Sequence, residues 1–346
     1  MRNYHVAIVG ATGLVGQEFI KILLQRRFPM ASIRLLASER SVGKKMPVGD
    51  EQIEVQETTS NSFDGTEIAL FSAGAEHSLR FSPIAAKAGA VVVDNSTAFR
   101  MDKNVPLVVP EVNSEDIRLH HRIIANPNCS TIQLVMALYP LHRVNPVRRV
   151  ICDTYQSVSG TGGVAAVEEL RTQAKQVLDG QPTESRVFPH QIAFNVLPEI
   201  DVFMDNGYSR EEWKMLEETR KIMHADSVLV SATCVRVPVL VGHAVAAHIE
   251  FTHPMEVADV REVLSQAPGV KVLDDAASHL YPQPWDAACT DDVFVGRIRK
   301  DASHPNGIAM WIVADNLRKG AALNTIQIAE EMIKRDWVKP QGGQDK

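Results

Sequence analysis

The sequence is poor in cysteine and contains no hydrophobic run that would suit a membrane. Its four cysteines, among 346 residues, are widely spaced and form no C-x-x-C pair. This spacing argues against a disulfide framework or a zinc site, so we expect reduced thiols and no metal. No apolar run approaches the roughly 20 residues that a transmembrane helix requires. The N-terminal residues MRNYHVAIVGATG run directly into a strand and a turn, so we expect no signal peptide, no membrane association and a cytoplasmic location.

The chain also lacks an excess of positive charge. It has 36 Lys and Arg against 42 Asp and Glu, a formal net charge of −6. Such a chain is poorly suited to bind nucleic acid through bulk charge, so any anionic small molecule must be held by a few well-placed cations. Hydrophobic residues make up 45% of the chain, which is typical of a globular protein with a substantial core, and its length predicts two domains.

The N-terminal part of the chain alternates short β-rich runs with helical patterns. Apolar strands separated by helices are typical of a parallel sheet with helices on its faces. We therefore predict an α/β, Rossmann-like domain with helices over 14–27 and 76–88. Its strands are predicted at HVAIVG, IRLLAS, EIALFSA, GAVVVDNS, PLVVPEV and RIIANPN.

After residue 145 the pattern predicts an α+β domain with a mostly antiparallel sheet. Helices are predicted over 163–179 and 210–224, and a bend at Gly242 interrupts a long run of strand residues. A final amphipathic helix, KGAALNTIQIAEEMI, follows the last strand so closely that we expect it to pack on the first domain, ahead of a frayed tail, KPQGGQDK. The predicted strands are RRVICDTYQSVSG, SVLVSATCVRVPVLVGHAVAAHIEFTH, and a hairpin of DVFVGRIRKD and GIAMWIVADN.

A glycine-rich turn joins the first predicted strand to the first helix. The stretch VAIVGATGLVGQEF places Gly10, Gly13 and Gly16 in a G-x-x-G-x-x-G pattern, a variant of the commoner G-x-G-x-x-G. The missing side chains let the backbone approach a pyrophosphate at the positive end of a helix. We therefore predict a dinucleotide site, although a tight turn without a ligand is the alternative.

The end of the second predicted strand bears on which dinucleotide binds. It reads ASERSVGKK, in which Ser38, Arg40 and Ser41 surround Glu39. An arginine with two hydroxyls suits the 2′-phosphate of NADP, whereas Glu39 in the acidic role would favour the ribose hydroxyl of NAD. We predict NADP, with NAD or a solvated loop as the alternatives.

Cys129 opens a helical pattern in the stretch NPNCSTIQLVMAL. A thiolate is the reactive form of cysteine, and a helix N-terminus favours it. Cys129 is therefore a candidate nucleophile, with a buried helix-start residue as the alternative, whereas burial is the better interpretation for Cys152 and Cys234. A base is required, and of the 12 histidines His243 stands out, because it follows Gly242 at the strand break.

Together these residues carry a resemblance to the aspartate-β-semialdehyde dehydrogenase family. That family converts L-4-aspartyl phosphate, NADPH and a proton to L-aspartate-4-semialdehyde, NADP and phosphate, on the route to diaminopimelate, lysine, threonine and methionine. The motifs occur in order along nearly the whole chain. They are GATGLVG, ASERS, LFSAG, DNSTAFR, VVPEVN, NPNCSTIQ, YQSVSGTG, IAFNVLPEID, REEWKMLEETRKI, TCVRVPVLVGHA, VFVGRIRKD and VADNLRKGAALNTIQIAE.

The resemblance implies a role for each matching residue. Cys129 would form a thioester with the substrate, and His243 would be the general acid/base. Arg236 would grip the α-carboxylate of the substrate, beside Gln156, and Glu211 would meet its amino group. The residues implied for the phosphate are Arg100, Asn128 and Lys214.

The resemblance also implies the cofactor contacts and the assembly. A dinucleotide-binding domain is expected at 1–128, completed by about 317–346, and a catalytic and dimerisation domain at 129–316. Members are commonly homodimers or homotetramers. The expected NADP contacts are Gly10, Thr12, Gly13, Leu14, Val15, Gly16, Ser38, Arg40, Ser41, Ser72, Gly74, Ser159, Gly160 and Asn316.

The chain departs from the family pattern in two places, and other interpretations stay open. Many relatives carry serine where this chain has Ala244, and SVSGTGG contains one more glycine than usual. An N-acetyl-γ-glutamyl-phosphate reductase or a catalytically silent paralogue are the alternatives. For the single residues the alternatives are an i,i+3 surface pair of Glu211 and Lys214, solvated charges at Arg100 and Lys214, and a capped strand end at Gln156.

Overall fold

The structure, a computed structural model, describes residues 2–338, so the tail predicted to fray lies outside the described residues. The chain divides into two compact units. The first runs to Pro127 and resumes at Ala321, and the second is Asn128–Gly320. Within residues 2–338, no helix combines the length and the apolar character needed to cross a membrane.

The first unit is built on a six-stranded sheet in which every pairing is parallel. Its central strands are apolar and buried on both faces, as expected when helices cover a parallel sheet. The unit's strands are β1 (Tyr4–Val9), β2 (Met30–Ala37), β3 (Lys45–Val48), β4 (Glu51–Glu54), β5 (Gln56–Glu57), β6 (Ile68–Phe71), β7 (Val91–Asp94) and β8 (Ile123–Ala125). The sheet order is β5-β2-β1-β6-β7-β8, while β3 and β4 form a separate hairpin. The Rossmann-like prediction is confirmed.

The helices of the first unit are α1 (Leu14–Gln25), α2 (Ala75–Lys87), α3 (Pro110–Asn113) and a C-terminal helix (Leu323–Lys334). Asn324 joins the C-terminal helix to the segments that flank β8. Its Nδ2 donates to Val108 O at 2.9 Å and to Asn126 Oδ1 at 2.7 Å. The outer face of the helix is tied to the end of α1 by an ion pair of Arg26 with Glu330 at 2.7 Å.

The predicted strand PLVVPEV is wrong. Leu107 makes only an isolated bridge to Ala125, and the segment then turns into the short helix α3. Proline lacks the N–H that a ladder needs, and Pro110 takes a first-turn helix position that tolerates that loss.

The second unit contains a mixed six-stranded sheet with helices α4 (Cys129–Val144), α5 (Val164–Leu178), α6 (Arg210–Met223), α7 (Val257–Ser265) and α8 (Pro284–Ala287). Three of its five pairings are antiparallel, which confirms the α+β prediction. The strands are β9 (Val147–Gln156), β10 (Leu229–Arg236), β11 (His243–Phe251), β12 (Val270–Val272), β13 (Val293–Lys300) and β14 (Gly307–Ala314), in the order β10-β9-β11-β14-β13-β12. Helix α4 packs against one face of this sheet.

Candidate active site

Three polar side chains meet at one edge of the mixed sheet. Strands β9 and β10 run parallel and end together, so Gln156 and Arg236 are register partners. Strand β11 runs antiparallel to β9 and starts at His243, beside Gln156. The period of two along a strand places all three side chains on the buried face. Gly242 allows the sharp entry into β11, with φ at 94° and no room for a Cβ against Pro284.

Cys129 is the first residue of helix α4, as the sequence predicts. Asn128 caps the helix, because its side-chain oxygen accepts from the backbone N–H groups of Ser130 at 2.9 Å and Thr131 at 3.2 Å. The backbone of Gly320 packs against the cysteine so closely that a Cβ there would lie 2.9 Å from the Cys129 Cβ. The partly exposed thiol therefore sits at the positive end of a 16-residue helix.

Arg236 lies within electrostatic range of both Cys129 and His243. Burial lowers the pKa of its guanidinium, whereas the negative charges of Glu211 and of an ionised Cys129 oppose that shift. Electrostatic coupling is reciprocal, so the Arg236 cation stabilises a thiolate at Cys129. Its Nη1 also donates to the Ser157 carbonyl at 2.8 Å, which fixes the guanidinium.

His243 is fully buried, and among residues 2–338 a hydrogen bond reaches only one of its ring nitrogens. The Ser157 backbone N–H donates to Nδ1 at 3.0 Å, while Nε2 has no hydrogen-bond partner within the described residues. Burial, and then the nearby Arg236, lower the pKa of the imidazole to about 3, so it is neutral at pH 7. The backbone of Gly160 covers both groups, since a Cβ there would lie 2.7 Å from Arg236 Nη1 and 2.9 Å from His243 Nε2.

Glu211 is the hub of a buried polar cluster at the start of α6. Its Oε1 accepts from Asn128 Nδ2 at 2.7 Å and from Gln156 Nε2 at 3.2 Å. Its Oε2 accepts from Lys214 Nζ at 3.1 Å, and that ammonium also donates to Asp201 at 2.8 Å. The Glu211–Lys214 pair is therefore largely buried and is not a solvated surface pair.

Both members of this pair are charged at neutral pH. Burial opposes ionisation of Glu211, but Lys214 and hydrogen bonds from Asn128, Lys214 and Gln156 outweigh it and lower the pKa of the carboxyl to about 2. Burial likewise opposes the charge on Lys214, while Glu211 and Asp201 raise the pKa of its ammonium. The cluster thus presents fixed charges of both signs.

We expect this carboxylate to make stability fall in acid. Its folded pKa of about 2 lies below the reference value of 4.5, so the stabilisation is complete above about pH 4.5 and is lost as the pH falls towards 2. The full loss corresponds to about 3 kcal/mol. Urea unfolding between pH 5 and 3 should show a shallower decline for Glu211→Gln than for the parent protein. Glu217→Gln, on the same helix but partly exposed, is the matched control; parallel curves for all three proteins would contradict the prediction.

Sequence reasoning missed Glu218 and Ser157. Glu218 Oε2 accepts from the Asn128 backbone N–H at 2.6 Å, so two carboxylates of α6 hold the residue before the cysteine. The signal was present, because Glu218 follows Glu211 by seven residues and two helical turns place both on one face. Ser157 gave no such signal, since its partners His243 and Asn316 are distant in the sequence and one of its contacts is made by the backbone N–H.

Cys152 and Cys234 are buried, as predicted, and differ from Cys129 in chemistry. Burial raises the pKa of Cys152 to about 12 and raises that of Cys234 as well. Neither is a thiolate near neutral pH, so neither is suited to nucleophilic attack.

The glycine-rich turn lies in the first unit, between β1 and α1. Gly10 has φ at 87°, and a Cβ on it would lie 2.3 Å from the Ser72 carbonyl oxygen. A Cβ on Gly16 would lie 2.2 Å from the Gly10 oxygen, so both positions require glycine. Gly13 is the N-cap of α1, which Leu14, Val15 and Gly16 open. The turn can therefore hold a pyrophosphate at the helix N-terminus.

The residues predicted to select NADP follow β2. Thr12 Oγ1 donates to Ser41 Oγ at 3.3 Å, which links the glycine-rich turn to this segment. Ser38 precedes a short 3₁₀ turn, Glu39–Ser41, whose Arg40 is exposed. A cavity of about 270 Å³ opens beside this turn, and its lining contains Ser38 and Glu39 but neither Arg40 nor Ser41. Its lining includes Ser38, Glu39, Glu57, Thr58, His77 and Arg80.

Two further predicted positions belong to the first unit. Gly74, with φ at 82°, precedes α2 at the end of β6. Arg100 is buried, and its Nη2 donates to the Asn95 carbonyl at 2.9 Å, close to Asp94. Burial raises the pKa of the Asp94 carboxyl, against hydrogen bonds from Ser96.

Two family models match the chain. Semialdehyde dehydrogenase, NAD binding domain, matches residues 5–120, and Semialdehyde dehydrogenase, dimerisation domain, matches residues 138–319. Aspartate-semialdehyde dehydrogenase of Aquifex aeolicus is 52% identical over 340 residues, covering 97% of this chain and 100% of that relative.

Solved structures agree with these matches. Aspartate semialdehyde dehydrogenase II from Vibrio cholerae, complexed with ASA, gives a TM-score of 0.94 at 47% identity, over 96% of this chain and 99% of that one. Aspartate semialdehyde dehydrogenase with NADP from Candida albicans gives 0.76 at 28% identity, over 96% and 99%. Because the family models and the full-length relatives agree, the chain belongs to the aspartate-semialdehyde dehydrogenase family.

Proposed function

We propose that the protein reduces L-4-aspartyl phosphate with NADPH to L-aspartate-4-semialdehyde, with release of phosphate, and runs the reverse reaction when phosphate is supplied. One observation carries this proposal: Cys129 begins a capped helix within electrostatic range of the buried Arg236. A helix N-terminus and a fixed cation together favour a thiolate, and a thiolate is the nucleophile that acyl transfer needs.

The sulfur of Cys129 attacks the acyl carbon of aspartyl phosphate. The bond from that carbon to the phosphate oxygen breaks, phosphate leaves with the electron pair, and a thioester remains. NADPH, when bound by the first unit, would supply the hydride that reduces the thioester carbon. The carbon–sulfur bond then breaks, which releases the aldehyde and restores the thiolate. His243 acts as the acid/base group at the reacting oxygen.

The substrate's fixed charges are matched by the buried cluster. Arg236 binds the α-carboxylate through its guanidinium fork, and Gln156, its register partner, orients the same end of the molecule. Glu211, ionised because its pKa is about 2, binds the ammonium group. The cations and the amide proposed to bind phosphate are Arg100, Lys214 and Asn128.

The first unit is the proposed dinucleotide-binding domain. The close approaches at Gly10 and Gly16 support a pyrophosphate there, and Arg40 with the Ser38 and Ser41 hydroxyls supports a 2′-phosphate. NADP in the Candida albicans relative supports the same choice. The proposed contacts also include Thr12, Gly13, Leu14, Val15, Ser72, Gly74, Ser159, Gly160 and Asn316.

The test is phosphate-dependent reduction of NADP with aspartate semialdehyde as the only carbon substrate. We expect absorbance of the reduced nicotinamide to rise only when phosphate, aldehyde and NADP are all present. N-acetylglutamate semialdehyde should give little turnover, because its amide carries no charge for Glu211. Preference for that longer aldehyde would overturn the substrate, and no turnover with either would favour a silent paralogue.

We also propose that the second unit is the catalytic and dimerisation domain and that the protein works as a homodimer, or as a pair of dimers, in the cytoplasm. All four cysteines are thiols, which supports a reducing compartment. The outward face of the mixed sheet carries exposed apolar side chains, including Ile151, Tyr155 and Leu229, and Tyr155 packs on Trp311 at 5.2 Å. An apolar sheet face of this kind suits a second copy of the same chain.

Ile151→Glu should dissociate the dimer. Two-fold symmetry would bury a carboxylate from each copy, at a cost of about 3 kcal/mol or more, which raises the dissociation constant at least about 100-fold. Light scattering during gel filtration measures the mass. Leu178→Glu, on an even more exposed leucine at the end of α5, is the control and should stay dimeric. An unchanged mass for Ile151→Glu would place the interface elsewhere.

A further inference from the structure

The hydrogen bond at Nδ1 determines where the proton of a neutral His243 must be. The Ser157 backbone N–H donates to Nδ1 at 3.0 Å, and a backbone amide is always a donor. Nδ1 must then present a lone pair, and the single ring proton of a neutral imidazole lies on Nε2. Nε2 is the buried atom without a hydrogen-bond partner among the described residues, so its proton is available to a ligand.

A second layer of hydrogen bonds keeps the Ser157 turn in place. Asn316 Oδ1 accepts from the Gly242 backbone N–H at 2.8 Å, from Ser157 Oγ at 3.1 Å and from Ser159 Oγ at 3.2 Å. Its Nδ2 donates to Ser159 Oγ at 3.0 Å. Because the Gly242 N–H needs an acceptor, the Asn316 side-chain amide must point its oxygen, not its nitrogen, towards Gly242. The Ser157 hydroxyl also lies 3.1 Å from His243 Nδ1. Asn316 thus joins both chain segments that flank the imidazole.

We propose, building on the function above, that Ser157 and Asn316 hold His243 as the neutral tautomer protonated on Nε2. In this form the acid/base role proposed above is narrowed to a hydrogen bond that Nε2–H donates to the reacting oxygen of the substrate, and the imidazole does not take the proton of Cys129. Asn316 is then a positioning residue for His243, in addition to any contact that it makes with the cofactor.

The chemistry balances without a base at the thiol. If Cys129 starts as a thiolate, its attack on a carbonyl carbon creates an oxyanion, and loss of phosphate or thiolate consumes that oxyanion. The proton of the overall reaction ends on the departing phosphate, which takes it from water. The oxygen needs a donor at each stage, which the Nε2 proton supplies. The thiolate itself is stabilised by Arg236 and by the N-terminus of α4. The imidazole has a pKa of about 3, which agrees with a ring that stays neutral.

The charged groups around the imidazole come from several elements. Arg236 on β10 disfavours a second ring proton, and Glu211 on α6 favours it. Lys214 pairs with Glu211 and weakens that effect, while Cys129 lies at the start of α4. The positive neighbour is the stronger of the two influences, so the neutral ring is favoured over the imidazolium.

Nitrogen NMR of protein labelled with ¹⁵N-histidine tests the tautomer directly. The signals of His243 are those that disappear in His243→Gln, among the 12 histidines of the chain. At pH 7 we expect the ¹⁵N chemical shift of Nε2 to be that of a protonated ring nitrogen and the shift of Nδ1 to be that of an unprotonated one. The reverse pattern, or two protonated nitrogens, would overturn the proposal, whether or not the protein turns over aspartate semialdehyde.

Alkylation of Cys129 tests the second half of the proposal. The rate with iodoacetamide is followed against pH by mass spectrometry of the Cys129 peptide. His243→Gln should leave the midpoint of this profile unchanged, whereas Arg236→Leu should move it upward by at least about one pH unit. A midpoint that rises in His243→Gln would show that the histidine stabilises the thiolate, and would overturn this inference without affecting the proposed reaction.

Kinetics separate a positioning role of Asn316 from a cofactor contact alone. Asn316→Ala should lower kcat at least tenfold and broaden or split the His243 nitrogen signals, with a change in KM for NADP of less than threefold. Ser159→Ala removes one neighbour of Asn316 but keeps the Gly242 and Ser157 contacts, so it should retain the Nε2 tautomer. A raised KM for NADP with intact His243 signals would overturn the positioning role.

Discussion

Replacing Cys129 with alanine should abolish phosphate-dependent oxidation of aspartate semialdehyde, with a loss of at least about 10⁴-fold in kcat. Without sulfur there is no thioester, and neither phosphate nor hydride transfer has a covalent partner. Cys129→Ser should lose almost as much activity. The pKa of a serine hydroxyl is much higher than that of a thiol, so Arg236 and the N-terminus of α4 cannot ionise it. The assay is reduction of NADP at saturating phosphate.

Two controls make this result specific to the nucleophile. Cys289→Ser removes an exposed thiol in the same unit and should leave kcat unchanged. Binding of NADPH to Cys129→Ala, measured by calorimetry, should persist, because the glycine-rich turn belongs to the first unit. Turnover above a tenth of the parent rate in Cys129→Ala would remove the covalent mechanism.

Much of the fold could be predicted because its signals are local. Helix α6 is an example: Ser209 and Glu212 form a capping box at its start, and its apolar residues recur at helical spacing. The strand break at Gly242 was visible in the same way. The segment PLVVPEV failed because two prolines remove ladder donors from a run whose composition favours a strand.

The site was predictable residue by residue but not as a network. Cys129 could be placed in the first turn of a helix because Asn128 and the following apolar pattern are local signals. The hydrogen bond between Glu218 and the Asn128 backbone joins residues 90 positions apart in the sequence. The hydrogen bond between Ser157 and Asn316 joins residues 159 positions apart. Such contacts depend on which strands and helices become neighbours, and no short stretch of sequence encodes that.

Arg236→Leu should reduce kcat/KM for aspartate semialdehyde by at least about 30-fold, equivalent to about 2 kcal/mol. The guanidinium is buried and already fixed by the Ser157 carbonyl, so it meets the substrate carboxylate without further ordering. Its loss would also remove a cation near Glu211, so that Lys214 must offset the charge of that buried carboxylate with less support.

The conservative variant tells charge from geometry. Arg236→Lys keeps a cation near Cys129 but loses the fork, so the alkylation rate of the thiol should stay near that of the parent while KM for the aldehyde rises about tenfold. Arg261→Leu, which removes an exposed arginine from its ion pair with Asp274 in the same unit, is the matched control and should change neither value. If Arg236→Lys behaved as the parent in both assays, the guanidinium would act only as a point charge. If instead Arg236→Leu left KM for the aldehyde unchanged, the carboxylate would have to be bound by another cation, and Lys214, which pairs with Glu211 and Asp201 in the same cluster, would be the first residue to mutate.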